Sequence, residues 1–221
     1  MHNKFDFDNV EDFDKHIDLS IPNYQGLHDV FKALFMEYMP PDGICVDIGC
    51  STGHFLNEVS GITNGEYIGS DLVQMSDEYN FNFIQKDCLE VLQDIKNINV
   101  ILSMFTLQFL GAVNRKKVIQ EITRLVSGGA IFLVAEKIYC NNPKVNSVLN
   151  REHLRQKRKG FSDTEILDKD YSLFGKMFCL ELQEIEQELS SIGILEQVWQ
   201  SYNFKGWVVL PKNNINQRTY K

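Results

Sequence analysis

One ten-residue stretch limits the possible folds of this chain more than any other. Residues 44–53 run Ile-Cys-Val-Asp-Ile-Gly-Cys-Ser-Thr-Gly. Their β-branched apolar residues are typical of an inner strand of a parallel sheet, and the two glycines permit a tight turn that a ligand can approach. The stretch therefore predicts a buried strand, a turn and the start of a helix. It places Asp47 near the carboxyl end of the strand, where open α/β sheets bind their ligands.

The spacing of the glycines limits the classes of ligand that this turn could bind. Asp47-x-Gly49-x-x-x-Gly53 lacks the three-glycine spacing of dinucleotide-binding folds and the Gly-Lys-Ser/Thr of a phosphate-binding loop. It resembles the first motif of class I S-adenosylmethionine-dependent methyltransferases. That resemblance implies that Gly49, Cys50 and Ser51 border the cofactor and that a carboxylate lies near its amino group. An ordinary strand, turn and helix with a capping aspartate is the structural alternative.

Alternating strand and helix patterns follow this stretch and predict a parallel sheet with right-handed crossovers. Two last strands, 195–200 and 204–210, predict an antiparallel end to the sheet, whereas residues 140–180 look helical and are expected to cover the site. We therefore predict one domain over residues 1–221: a Rossmann-like α/β class I methyltransferase fold, with a mostly parallel seven-stranded sheet, an antiparallel last strand and an added helical segment. The other predicted strands are 66–71, 81–85, 98–103 and 130–135.

Acidic residues follow the next two predicted strands. Asp71 comes 24 residues after Asp47, and a carboxylate at that strand end accepts both hydroxyls of a ribose. Its alternative role is to cap a following helix. Asp87 is expected to face the exocyclic amine of an adenine, with the backbone of Cys88 beside it. Phe105 lies where the fourth strand reaches the reacting centre.

Two further segments offer polar groups to a ligand. Tyr24 follows Ser-Ile-Pro-Asn, and its hydroxyl either reaches the ligand or lies on a surface turn. Basic residues recur at helical spacing at positions 151, 155 and 159, and Lys157 and Arg158 lie between them. This basic run is either a solvated helix face or a site for a carboxylate or phosphate.

Composition excludes several classes of function. Five cysteines, none at C-x-x-C spacing, and five scattered histidines predict neither a disulfide framework nor a metal site. A net charge of −8 disfavours a nucleic-acid-binding face and favours a small-molecule substrate. No apolar run reaches the length of a membrane span, and the N-terminus shows no signal-peptide pattern, so we expect no membrane association and a cytoplasmic location.

Several short segments, taken together in their order along the chain, indicate a resemblance to one family. They are 5–8 (Phe-Asp-Phe-Asp), 20–24 (Ser-Ile-Pro-Asn-Tyr), 47–51, 105–110 (Phe-Thr-Leu-Gln-Phe-Leu), 136–137 (Glu-Lys), 160–166 and 202–204 (Tyr-Asn-Phe). In this combination the chain resembles the bacterial carboxy-S-adenosylmethionine synthases over nearly its whole length. The resemblance implies an enzyme that has a methyltransferase fold but does not methylate.

The resemblance also implies substrates and partners. Members of that family convert S-adenosylmethionine and prephenate into carboxy-S-adenosylmethionine and phenylpyruvate, and a partner enzyme uses the product to modify the wobble uridine of tRNA. Members are typically homodimers. By position, the residues implied to line the cofactor slot are Tyr24, Gly49, Asp71, Asp87 and Phe105.

The last predicted helix, residues 180–192, departs from that family. The family uses an arginine there to pair with the new carboxylate, whereas Glu188 stands at the matching place and residues 180–195 contain no Lys or Arg. A glutamate there would repel the carboxylate. Three explanations stay open: the match to the family is displaced at this helix, another cation replaces the arginine, or the activity has changed. The candidate cations are Lys137, Lys157, Arg158 and Lys176, and the first three, with Tyr202, are the predicted substrate-binding residues.

Two other functions stay open. A methyltransferase or alkyltransferase that acts on another acceptor would account for the missing arginine. A module that binds the cofactor or a partner without catalysis is the non-enzymatic alternative. Tyr24, Glu136 and His153 are candidate general bases by their chemistry, but no catalytic residue is assigned.

Overall fold

Seven strands form one mixed sheet in the computed structural model. It describes residues 13–76 and 78–212, with only the backbone of residues 13–16. The strands are β1 (Ile44–Ile48), β2 (Glu66–Asp71), β3 (Asn82–Gln85), β4 (Ile98–Met104), β5 (Ile131–Lys137), β6 (Ile194–Ser201) and β7 (Phe204–Leu210). Their order across the sheet is β3-β2-β1-β4-β5-β7-β6.

Strand direction follows the expected pattern. β1 pairs in parallel with β2 and β4, β2 pairs in parallel with β3, and β4 pairs in parallel with β5. β7 runs antiparallel to both of its neighbours, β5 and β6. The predicted mostly parallel, seven-stranded sheet with an antiparallel last strand is therefore confirmed.

Helices cover both faces of this sheet. They are α1 (Phe13–Ser20), α2 (Tyr24–Tyr38), α3 (His54–Val59), α4 (Cys88–Asp94), α5 (Ala112–Ser127), α6 (Pro143–Lys157), α7 (Asp163–Leu173) and α8 (Leu182–Ile192), with a 3₁₀ turn at Leu107–Phe109. The segment 5–8 that contributed to the family resemblance lies outside the described residues. Among the helices that the structure describes, none combines the length and apolar character that a bilayer crossing requires.

Two apolar cores lie on opposite sides of the sheet. Successive side chains of a strand point to opposite faces, so Val100 and Leu102 of β4 pack with α2 and α3 while Ile101 packs with α4, α5 and α8. Both faces of the inner strands are consequently buried. The sheet is thus held rigid where its carboxyl ends carry polar side chains.

Two helices, α6 and α7, interrupt the alternation of strands and helices between β5 and α8. Asn142 caps α6 by accepting hydrogen bonds from the backbone N–H groups of Lys144 and Val145. Ser162 and Glu165 form the capping box that starts α7, as their spacing indicates. These caps fix where the two helices begin, and both helices present basic side chains to the carboxyl end of the sheet.

Candidate functional site

A cavity of about 390 Å³ lies at the carboxyl ends of β1, β2, β4 and β5. Each of these strands contributes a polar or apolar side chain to its wall, and α1, α2, α6 and α7 close it from above. This is the edge at which open α/β sheets bind ligands. Of the predicted site residues, those that line it are Tyr24, Asp47, Gly49, Cys50, Ser51, Asp71, Asp87, Cys88, Phe105, Lys137 and Lys157.

The glycine-containing turn after β1 forms the floor of the cavity. The backbone N–H groups of Gly49 and Cys50 both donate to the carbonyl oxygen of Ser70, at 2.7 and 3.0 Å, and so tie the turn to β2. Gly49 has a φ of 71°, and a Cβ at this position would collide with the side chain of Thr106. Glycine is therefore required here both by the backbone conformation and by the close approach of the next loop.

Asp71 stands at the end of β2 with its carboxylate held in place by the backbone. Its Oδ2 accepts from the N–H of Ser51 at 2.9 Å and its Oδ1 accepts from the N–H of Val73 at 3.3 Å. Residues 72–76 and 78–81 form no helix, so the alternative role of Asp71 as a helix cap is wrong. A carboxylate oxygen has a second lone pair, and both oxygens can still accept from vicinal hydroxyl groups of a ligand.

Asp87 combines a structural role with its place in the cavity wall. It is the residue before α4, and its Oδ1 accepts from the backbone N–H of Leu89 at 2.9 Å. Cys88, the first residue of that helix, is buried beside it. Burial raises the pKa of the Cys88 thiol to about 11, so the group is a packed thiol and not a nucleophile at neutral pH.

Asp47 is buried below the turn and has an unmet hydrogen-bonding capacity. It is 2% exposed, and its Oδ1 has no hydrogen-bond partner within the described residues. Burial first, and then the nearby charge of Asp71, raise the pKa of Asp47 to about 7. A cationic group of a ligand at this point would satisfy the oxygen and favour the ionised carboxylate.

Aromatic and aliphatic side chains form the middle of the cavity. Tyr24 of α2 lies across from Phe105, with ring centroids 6.3 Å apart, and Phe105 in turn contacts Phe204 edge to face. Phe105 has a φ of 61°, which is rare for a bulky residue, and its N–H donates to the carbonyl oxygen of Ala135 at 2.7 Å. The surrounding structure thus holds this ring at the end of β4 despite backbone strain.

Three lysines meet at the opposite end of the cavity. Lys137 ends β5, Lys157 ends α6 and Lys169 lies on α7. Burial, followed by repulsion from the other two ammonium groups, lowers the pKa of Lys169 to about 7, and burial likewise lowers the pKa of Lys157. Lys169 donates to Ser20 Oγ at 3.2 Å, while the Asp170 carboxylate is 3.9 Å from Lys157 Nζ. Among the described residues that line this end of the cavity, the three lysines and Asp170 therefore give a net positive charge.

His153 lies next to the lysines but is held in a neutral, donating form. Its Nε2 donates to the carbonyl oxygen of Ser20 at 2.7 Å, and its ring meets the ring of Phe204 edge to face at 5.0 Å. Burial, reinforced by the charges of Lys157 and Lys137, lowers the pKa of His153 to about 4. The imidazole consequently adds no positive charge to this end at neutral pH.

Comparison with known proteins agrees with this geometry. Residues 46–134 match a family described as a methyltransferase domain. A carboxy-S-adenosyl-L-methionine synthase from Staphylococcus epidermidis is 26% identical over 204 residues, which cover 88% of this chain and 90% of that protein. Another, from Idiomarina loihiensis, is 29% identical over 217 residues, covering 90% of this chain and 89% of its own. The chain is therefore similar over about nine-tenths of its length to carboxy-S-adenosyl-L-methionine synthases, and it contains a segment that matches a methyltransferase domain.

Solved structures give the same fold. The YcgJ protein of Bacillus subtilis superposes with a TM-score of 0.54 at 15% identity, over 80% of this chain and 71% of its own. The predicted class I methyltransferase fold and the predicted relation to these synthases are both confirmed. Since the chain spans about nine-tenths of both synthases compared above, the helical segment with α6 and α7 lies inside the shared length.

The residues of the cavity fit S-adenosylmethionine, the cofactor of class I methyltransferases. The orphaned Oδ1 of Asp47 would receive the amino group of its methionine part, and the carboxylate of Asp71 would receive the two ribose hydroxyls. Asp87 and Cys88 stand where the adenine would lie, beyond Asp71 along the same edge. That these side chains bind it stays a prediction.

Two predicted substrate-binding residues, Arg158 and Tyr202, and one candidate cation, Lys176, lie elsewhere. Arg158 is exposed and binds the carboxylate of Asp163 at 2.7 Å, on the outer side of α6. Tyr202 accepts from Gln156 Nε2 at 3.2 Å, and its side chain is not part of the cavity wall. Lys176 is exposed and also absent from the wall. These three predictions are corrected: one face of the basic run is solvated, and only Lys157 of that run turns inward.

The expected repulsion from Glu188 does not arise. Glu188 lies on α8 and is not among the residues that line the cavity; its carboxylate pairs with the guanidinium of Arg115 at 2.6 Å. Glu136, a candidate base, is buried behind the cavity, and its Oε1 accepts from the N–H of Leu107 at 3.0 Å. Burial raises the pKa of Glu136 to about 8. It positions the loop after β4 and does not face a ligand.

Two features of the site escaped the sequence analysis. Lys169 was missed, although it follows the buried Ile166 by three residues and so shares the inward face of α7. The scattered histidines predicted no metal cluster, yet His28 and His54 lie beside Glu58 next to the cavity. The i, i+4 spacing of His54 and Glu58 was a usable signal, but the position of His28 depends on helix packing.

Proposed function

We propose that this chain is an S-adenosylmethionine-dependent transferase of the carboxy-S-adenosylmethionine synthase kind. In this proposal it converts S-adenosylmethionine and prephenate into carboxy-S-adenosylmethionine and phenylpyruvate. The observation that carries the proposal is the meeting of Lys137, Lys157 and Lys169 at one end of a cavity whose other end is acidic. The acidic end suits the positively charged S-adenosylmethionine, and the basic end suits the carboxylates of prephenate.

The basic end suits a substrate with carboxylates. Three ammonium groups that repel one another gain from any anion placed between them, and burial strengthens that attraction. A neutral methyl acceptor such as a hydroxyl or amine would gain little from the positive charge of these lysines. The lysines thus take the place that the resemblance gave to an arginine on the last helix, from different elements of the fold.

The chain's own residues would divide the work as follows. Asp47 and Asp71 hold the cofactor by its amino group and ribose, and Tyr24 and Phe105 form the apolar walls around the reacting centre. S-adenosylmethionine supplies a sulfonium whose adjacent methyl carbon is the reacting atom. The aromatic walls exclude water from that centre, which strengthens the attraction between the lysines and a carboxylate.

The test uses purified protein incubated with S-adenosylmethionine and prephenate. Mass spectrometry of the small molecules released on denaturation should detect carboxy-S-adenosylmethionine, and the supernatant should contain phenylpyruvate. Lys157→Met should lower the affinity for prephenate about 10-fold to 100-fold, since it removes one charged donor, while leaving the affinity for S-adenosylmethionine unchanged. Lys159→Met, on an exposed lysine two residues later, is the matched control. Formation of neither product by wild-type protein would refute the proposal.

A methyltransferase acting on another acceptor is the second candidate. The match of residues 46–134 to a methyltransferase domain favours it. Under this candidate the protein releases S-adenosylhomocysteine and a methylated acceptor, and prephenate has no effect on turnover. The same mass spectrum therefore separates the two candidates.

Partners of the reaction are also proposals. The product would serve a second enzyme that modifies the wobble uridine of tRNA, and this chain would itself bind no nucleic acid. We further propose a homodimer; Tyr171 of α7 and Phe174, the residue after that helix, are 80% and 88% exposed and supply apolar surface. Sedimentation velocity should give a dimer mass, and a monomer mass at all protein concentrations would contradict this assignment.

A further inference from the structure

Two helices bring three potential metal ligands together beside the cavity. His28 comes from α2, whereas His54 and Glu58 lie one turn apart on α3. One nitrogen or oxygen of each side chain lies within 4.8 Å of the others. Two imidazoles and one carboxylate are a common ligand set for Zn²⁺ in proteins.

The ring nitrogens of His28 have an unmet hydrogen-bonding capacity. The side chain is 1% exposed, and neither ring nitrogen has a hydrogen-bond partner within the described part of the chain. Its Nδ1 is 3.5 Å from Glu58 Oε2, which is too long for a good hydrogen bond. Buried polar atoms normally find a partner, because an unsatisfied one costs about 1–3 kcal/mol. A metal ion bound by Nδ1 would supply that partner.

The other two ligands are placed to receive an ion from solvent. His54 Nε2 is 2.9 Å from Glu58 Oε1, and these side chains are 38% and 27% exposed. The cluster thus has a buried ligand on one side and an open side towards water.

We propose that His28, His54 and Glu58 bind a divalent transition-metal ion of the Zn²⁺ type. Three protein ligands leave a fourth position for water. The ion would join α2 to α3 beneath Tyr24, whose ring lies 4.5 Å from that of His28. Because His54 also lines the cavity, the ion would stabilise the wall around the ligand. This inference goes beyond the proposed function and is independent of it, since metal binding needs no substrate.

The experiment measures Zn²⁺ on the full chain without S-adenosylmethionine. Protein stripped with a chelator is mixed with Zn²⁺ and passed through gel filtration, and bound metal is counted by mass spectrometry. We expect one Zn²⁺ per wild-type chain and loss of that ion in His54→Asn and Glu58→Gln. Both side chains are partly exposed, so the variants should fold. Glu66→Gln, on an exposed glutamate, is the matched control and should keep the ion.

Thermal unfolding gives a second readout. Zn²⁺ should raise the melting temperature of wild-type protein and of Glu66→Gln but not of the two cluster variants, because an ion that binds only the folded chain stabilises it. The proposal is overturned if stripped wild-type protein that has been mixed with Zn²⁺ carries none after gel filtration. It is equally overturned if the cluster variants bind as much Zn²⁺ as wild type, since thiols elsewhere would then be the ligands.

Discussion

Arg115 of α5 binds Glu188 of α8 through two nitrogens. Arg115 Nη2 donates to Glu188 Oε2 at 2.6 Å, and Arg115 Nε donates to the two oxygens at 3.0 and 3.2 Å. The arginine side chain is 7% exposed and the glutamate 23%. This ion pair joins two helices, and neither of its residues lines the cavity. The negative charge at position 188 is therefore used for structure.

Replacing that glutamate by arginine should destabilise the protein without improving function. Glu188→Arg would put two guanidinium groups side by side, and we expect a loss of about 3–5 kcal/mol in the free energy of unfolding, as for a broken buried ion pair. Urea denaturation measures it. Gln187→Arg, on an exposed residue of the same helix, is the control and should change stability little. A Glu188→Arg protein as stable as this control, or one with increased carboxylated product, would contradict the structure.

Asp47 should make stability depend on pH. Its pKa is about 7 in the folded chain, above the value of about 4 in an unfolded chain. Between these values the folded state holds a proton that the unfolded state has lost, so this group lowers stability as pH rises. Asp47→Asn should therefore gain stability relative to wild type as pH rises from about 4 to about 7.

Urea denaturation at several pH values measures this difference. Asp42→Asn, on an exposed aspartate in the loop before β1, serves as the control and should show a constant difference from wild type. The physical account of Asp47 fails if Asp47→Asn also differs from wild type by a constant amount across the range.

Lys169 should make anion binding depend on pH, with weaker binding as pH rises. Its pKa of about 7 means that the ammonium loses its proton as pH rises through neutrality. We expect the affinity for prephenate to fall between about pH 6 and about pH 8, because the neutral amine no longer attracts a carboxylate. Isothermal titration calorimetry measures the affinity and the proton uptake.

Lys169→Met should bind prephenate more weakly at about pH 6 and lose most of the dependence on pH. Lys159→Met should behave as wild type, since that lysine is exposed and remote from the cavity. An unchanged pH dependence in Lys169→Met would show that another group is responsible.

Asp71 should dominate the affinity for S-adenosylmethionine. Asp71→Asn removes the charge and half of the accepting capacity, so we expect the dissociation constant to rise about 10-fold to 100-fold. The asparagine oxygen can still accept from the N–H of Ser51, which keeps the turn in place. Equilibrium binding measures the change with Asp42→Asn as the control, and equal affinities in the two variants would sink the assigned role.

Local patterns sufficed for the sheet and for its acidic edge. β-branched residues before a glycine turn predict an inner strand wherever they occur, so β1 and the turn at Gly49 followed directly from residues 44–53. The ends of β1 and β2 then fixed the positions of Asp47 and Asp71, because parallel strands place their carboxyl ends on one edge. These inferences need only neighbours in the sequence or a regular strand order.

Helix orientation was harder to predict. Arg158 and Lys157 are adjacent in sequence, yet one is solvated and the other buried in the cavity wall. α6 has a weak apolar stripe, so its periodicity does not decide which face turns inward. Glu188 was misplaced for a related reason: its partner Arg115 is 73 residues away and lies on another helix.

The sequence by itself determined where the strands lie along the chain, the glycine turn and the two aspartates at the edge of the sheet. Only the tertiary structure decided which cations meet in the cavity and that two histidines meet beside it. Lys137, Lys157 and Lys169 come from a strand and two helices, and His28 joins His54 and Glu58 from a separate helix. Local periodicity sets a residue's own element and face, whereas the meeting of remote side chains depends on how whole elements pack.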